Sequence, residues 1–81
     1  MEKKIIAVVQ DIVKGRHGKY VVTTSKDVRG SITFSLRKEV WQEEKYPEPG
    51  TLVVLSGVYR KQNGWRASTA RFFRPENEAK H

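Results

Sequence analysis

Between residues 61 and 75 the chain reads KQNGWRASTARFFRP. Lys61, Arg66, Arg71 and Arg74 are interleaved with Trp65, Phe72 and Phe73, and no carboxylate stands among them. Cations neutralise phosphates and release their counterions, while flat rings stack on unpaired bases, so this mixture suits a polyanion that carries planar groups. A face built for solubility usually mixes the two signs of charge. A second basic group, Lys14, Arg16, His17 and Lys19, surrounds two glycines and is followed by Tyr20. The chemistry open to these residues is binding.

Catalysis has little to build on. A metal site needs a cluster of His, Cys or carboxylate, and the chain has no cysteine and two histidines, His17 and the terminal His81. His17, flanked by Arg16 and Gly18, reads as a hydrogen-bonding residue of a turn. Glu39, Glu43 and Glu44 have the spacing of one short helical face, but no apolar pocket surrounds them to tune acid–base chemistry. No phosphate loop, dinucleotide fingerprint or Ser–His–Asp order is present. The expectation is a protein that is not an enzyme and needs neither cofactor nor metal.

The scaffold that must position these groups reads as β-structure. Residues 5–13 (IIAVVQDIV) are rich in β-branched side chains, as are residues 19–25 (KYVVTTS), and the glycine-flanked turn 14–18 joins them as a hairpin. After a turn at 26–30, Ile32, Phe34 and Leu36 alternate with Ser31, Thr33 and Ser35, the pattern of a half-buried strand. Leu36, Val40 and Trp41 then have helical spacing, and Pro47, Pro49 and Gly50 stop the helix. Residues 51–60 form a long strand bent at Gly57, Asn63-Gly64 closes a hairpin, and residues 65–73 form the last strand. Phe34 belongs to the core, one of Phe72 and Phe73 joins it, and Trp41 is expected to plug the barrel end, where its large ring buries apolar area.

Closing such a sheet on itself removes open edges. The expected fold class is therefore all-β: a small five-stranded OB-type barrel with a short helical linker between strands 3 and 4. It covers residues 1–75, and residues 76–81 read as a disordered tail. With 81 residues, 37% apolar and 31% charged, the chain makes one globular domain. Its formal charge of +7 points to an anionic partner. The absence of cysteine suits a reducing, cytoplasmic setting. No apolar run reaches the length of a membrane span, so no membrane association is expected.

The layout resembles that of the cold-shock domain, an OB-fold family that binds single-stranded RNA and DNA. The residues that carry the likeness are Gly18 to Val22 on the second strand, Asp27, Ile32 to Leu36, Pro49-Gly50, and Gly64 to Ala67 with Ala70 beyond. The second strand has one ring, Tyr20, where the family shows two or three, and Thr33 stands where the family has a stacking histidine. The resemblance implies an OB barrel and a single-strand binding face.

On an OB barrel the second and third strands and two hairpin loops hold the ligand. That places Lys14, Arg16, His17, Lys19, Tyr20 and Thr33 at the expected interface, with Tyr59, Arg60, Lys61, Trp65, Arg66 and Arg71 completing it. Single-stranded RNA is favoured slightly over DNA, with low sequence specificity, by a monomer or weak dimer. The alternative is a protein-interaction or assembly module on the same barrel, which the missing rings and the acidic stretch 39–48 favour.

Overall fold

The computed structural model describes residues 4–78. Seven strands form one mixed sheet that curls into a half-barrel: β1 (Ile5–Gly15), β2 (Gly18–Ser25), β3 (Val28–Ser35), β4 (Leu52–Ser56), β5 (Tyr59–Lys61), β6 (Gly64–Arg66) and β7 (Thr69–Phe72). Their order across the sheet is β5-β6-β3-β2-β1-β4-β7. The all-β class agrees with the sequence; the count of five strands does not. The strand expected over 51–60 breaks at Gly57, whose φ of 62° leaves the extended region. The strand expected over 65–73 breaks at Ala67 and Ser68, where the ladder changes partner. Ala67 N–H donates to the Thr33 carbonyl at 2.9 Å, and Ser68 N–H donates to the Ser56 carbonyl at 3.0 Å. One step of the chain thus touches β3 and β4, which lie apart in the strand order.

Long β1 serves two neighbours in turn. Ile5 to Val8 pair with β4, and from Val8 to Gly15, apart from Gln10, the strand pairs with β2. The register shifts between Val9 and Asp11, and Val9 there exchanges bonds with Gly50 N–H (2.8 Å) and the Thr51 carbonyl (2.9 Å). Such a bulge increases twist and lets one strand bend between two pairings.

The expected helical linker is absent. One hydrogen-bonded turn forms, with Val40 and Trp41 N–H both donating to the Arg37 carbonyl at 2.9 and 2.8 Å. The backbone then leaves the helical path because Ala70 claims it: Ala70 N–H donates to the Val40 carbonyl at 2.8 Å and Gln42 N–H to the Ala70 carbonyl at 3.0 Å. Trp41 and Ala70 form a parallel bridge. A continued helix would have needed those same groups for its own bonds.

The concave side holds the core. Ile5, Ala7, Val9, Val21, Ile32, Phe34, Trp41, Val53, Leu55, Ala67 and Ala70 are buried together. Trp41 is buried as expected, stacked on Phe34 with centroids 5.7 Å apart and meeting the Phe72 edge at 5.0 Å. Its Nε1–H donates to the Lys45 carbonyl at 2.8 Å, which satisfies the one polar atom of the ring. Thr23 is the buried polar residue, and its hydroxyl donates to the Ile32 carbonyl at 2.8 Å. The segment after β7 begins as a four-residue helical turn, α1 (Pro75–Glu78); residues 79–81 of the expected tail lie outside the described residues.

Candidate nucleic-acid interface

Opposed residues of neighbouring strands project to the same face of a sheet, so the register builds the site directly. One row on the convex face runs Asp11, Val22, Thr33, Arg66, Tyr59 across β1, β2, β3, β6 and β5. The row beside it runs Val13, Tyr20, Ser35. Tyr20, Thr33, Ser35, Arg66 and Tyr59 therefore share one surface although they span 47 positions of sequence. Asp11 is the carboxylate of its row, but it stands three strands from Arg66, about 14 Å at ordinary strand spacing. It also accepts the Ile12 N–H at 2.8 Å.

On this surface lies an open cleft of about 650 Å³. Arg16, His17, Lys19, Arg37 and Arg66 supply its basic groups, Tyr20 and Tyr59 its rings, and Ser35 and Ser68 its hydroxyls; no carboxylate lines it. A second cleft of about 480 Å³ shares Tyr20 and Arg66 with the first and continues past Ser31 and Thr33 to Lys61, Gln62, Asn63 and Gly64. Among the described residues, Arg16, Lys19, Arg37, Lys61 and Arg66 take part in no ion pair. The Arg66 Nε is buried and has no hydrogen-bond partner. A cationic cleft kept free of acids concentrates positive potential where a polyanion would lie.

The tips of two hairpins frame the clefts. Arg16 and His17 form a two-residue turn between the paired Gly15 and Gly18, and Gly18 takes a φ of 118°. Gln62 and Asn63 form the other, between Lys61 and Gly64. The positive φ of that turn, 135°, falls on Gly64 and not on Asn63. Gly64 is needed for space as well: a Cβ there would stand 3.1 Å from the Ser31 carbonyl oxygen.

The remaining expected site residues separate into three groups. Lys14 is exposed opposite Lys19 on the stem of the first hairpin and lines neither cleft. Trp65 borders the second cleft, but its row is that of buried Ile32 and it packs half-buried against the core. Its Nε1–H donates to the Arg29 carbonyl at 3.0 Å and Arg60 covers it at 5.5 Å from the ring centroid. Trp65 is thus no open stacking platform, and Arg60 serves Trp65.

Arg71 lies on β7 beside Val54, at the end of the strand order opposite β5 and β6. There Glu43 pairs with Arg74 and feels the charge of Arg71. Arg74 grips both carboxylate oxygens, Oε2 at 2.7 Å and Oε1 at 2.9 Å, and Phe72 N–H donates to Oε2 at 3.2 Å. The Arg74 hydrogen bond holds the Glu43 carboxyl below its ordinary pKa, with the Phe72 N–H and the charge of Arg71 adding to it against a counteracting desolvation.

The sequence reading missed Arg37, Ser35 and Ser68. Arg37 falls within the stretch whose spacing suggests a helix, but it follows two residues after Ser35, which pairs with Tyr20. Its N–H donates to the Ser35 hydroxyl at 3.1 Å. Register was the signal that could have found it. Among the described residues there is no metal-holding cluster and no helix long and apolar enough to cross a membrane. Neither family models, nor curated proteins, nor solved structures yield a match to this chain.

Proposed function

We propose that this chain binds single-stranded nucleic acid without catalysing a reaction, RNA somewhat ahead of DNA and with low sequence specificity. The observation that carries the reading is the cleft itself: Tyr20 and Tyr59 share it with Arg16, Lys19, Arg37 and Arg66, and no carboxylate lines it. Phosphate contacts supply most of the affinity and the two rings stack on bases, each worth about 1–3 kcal/mol. Amphipathic tyrosines suit this work because they offer a ring face with a wetted hydroxyl.

The same reading takes the half-barrel as an OB-type barrel. Its support is the connectivity: a β1-β2-β3 meander, β6 parallel to β3, and β7 antiparallel to β4 in the next stretch of chain. The likeness to the cold-shock domain then rests on this layout and on the quoted residues, and the stacking pair differs from that family's.

A protein-interaction module is the second reading, and one observation favours it. Ile6 and Leu52 are 44% and 42% exposed and border a separate cleft with Val8. Amide shifts on titration with an oligouridine of about six nucleotides decide between them. Shifts clustered at Tyr20, Ser35, Arg37, Tyr59 and Arg66 are expected. An unperturbed cleft at saturating oligomer would sink the nucleic-acid reading.

A further inference from the structure

We infer that the second cleft recognises the ribose 2′-hydroxyl and is the part of the protein that separates RNA from DNA. The inference rests on the nucleic-acid reading and deepens it. The two clefts differ in chemistry. The first is lined by the rings of Tyr20 and Tyr59. In the second, Tyr20 is shared, and Trp65 is covered by Arg60 and engaged to the Arg29 carbonyl. What that cleft does offer is Ser31, Thr33, Gln62 and Asn63 together with two cations, Lys61 and Arg66.

Hydroxyls and side-chain amides both donate and accept hydrogen bonds, and lysine and arginine only donate. The 2′-hydroxyl is likewise both donor and acceptor, and it is the group by which a protein tells RNA from DNA. A sugar between two phosphates needs cations for the phosphates and a donor–acceptor group for its hydroxyl, and this cleft holds both kinds: Thr33 stands opposite Arg66, and Lys61 leads into the Gln62–Asn63 turn. The Thr33 hydroxyl makes one long contact, to the Trp65 carbonyl at 3.4 Å, so its lone pairs stay open to a donor. No intramolecular bond engages the Gln62 or Asn63 side chains. Arg66 lines both clefts, so a strand stacked on Tyr20 and Tyr59 crosses Arg66 and lays its next sugar among these groups.

Oligouridine and oligodeoxyuridine of equal length test this, since they share base and charge and differ in the 2′-hydroxyl. The wild type is expected to bind oligouridine about fivefold more tightly, the effect of one net hydrogen bond of ordinary strength. In the double variant Gln62→Ala/Asn63→Ala that ratio falls to about one, while affinity for oligodeoxyuridine and its salt slope stay as they were. The retained affinity itself reports an intact fold, and Ser31→Ala gives a second, single-site check with the same expected direction. Equal binding of both oligomers by the wild type, or a ratio that survives both variants, would overturn the inference and leave the nucleic-acid reading standing. Failure to bind either oligomer would remove both.

Discussion

Gly15 and Tyr20 lie in contact: a Cβ on Gly15 would stand 3.0 Å from Cε1 and 3.2 Å from Cδ1 of the Tyr20 ring, and 3.1 Å from the Gly18 carbonyl oxygen. The other five glycines of the chain adopt positive φ and Gly15 does not. Space, and not backbone conformation, is what calls for glycine here. The ring is packed at the foot of the Arg16–His17 turn, a pre-positioning that on the proposed reading spares the cost of ordering it on binding.

Gly15→Ala is therefore expected to displace the Tyr20 ring and weaken oligonucleotide binding by about fivefold, part of one stacking contribution. The salt slope stays unchanged because no phosphate contact is lost. A double-mutant cycle with Tyr20→Ala checks the cause: in that background Gly15→Ala costs little more.

Tyr20→Ala and Tyr59→Ala are each expected to lose about 1–3 kcal/mol of binding free energy with the slope retained. Trp65→Ala should not lose affinity in this way, because Arg60 and the core already occupy its ring. Equilibrium titrations at one salt concentration, corrected for folded fraction, distinguish the three.

Cations divide by location. Arg37→Ala and Arg66→Ala each lower the slope of log K against log salt by about 0.7, the value for one phosphate of a single strand. Arg71→Ala leaves it unchanged, since Arg71 stands on β7 away from both clefts. A slope lowered by Arg71→Ala would relocate the interface.

Glu43 gives a pH-dependent contribution of defined sign. Its carboxyl pKa is lowered by Arg74 from the usual 4.5, so the folded state binds its proton less readily than the unfolded chain. The stabilisation is present above the unfolded value and is lost as pH falls through the lowered one. Glu43→Gln should melt below the wild type at neutral pH, and the two melting curves should converge in acid below that value.

Much of the scaffold could be read from side-chain patterns, because alternation reports burial. Ile32, Phe34 and the β-branched runs of β1 and β2 behave as their spacing requires, and the size and neighbours of Trp41 put it in the core. Trp41→Ala should accordingly cost about 3–5 kcal/mol in urea denaturation, a large share of the stability of a small domain. What sequence spacing could not supply was long-range pairing. Ala70 takes the backbone groups of Val40 and Gln42 and ends the expected helix. Glu43 reaches Arg74 across 31 positions. Arg37 joins the cleft through a register set by Tyr20 and Ser35. For Trp65, the Asn63-Gly64 turn correctly indicated a hairpin, but which face its ring takes depends on the parallel pairing with β3.

The most direct test of the central claim is fluorescence anisotropy of labelled oligouridine titrated with the protein between about 50 and about 200 mM salt. Contacts from about four of the cleft's cations predict a slope near −3, so that this fourfold rise in salt weakens binding about 50-fold. Arg66→Ala should flatten the slope and Tyr20→Ala should lower the whole line without tilting it. An absence of binding at the lower salt concentration, or binding indifferent to salt, would contradict the assignment of this cleft to a nucleic-acid strand.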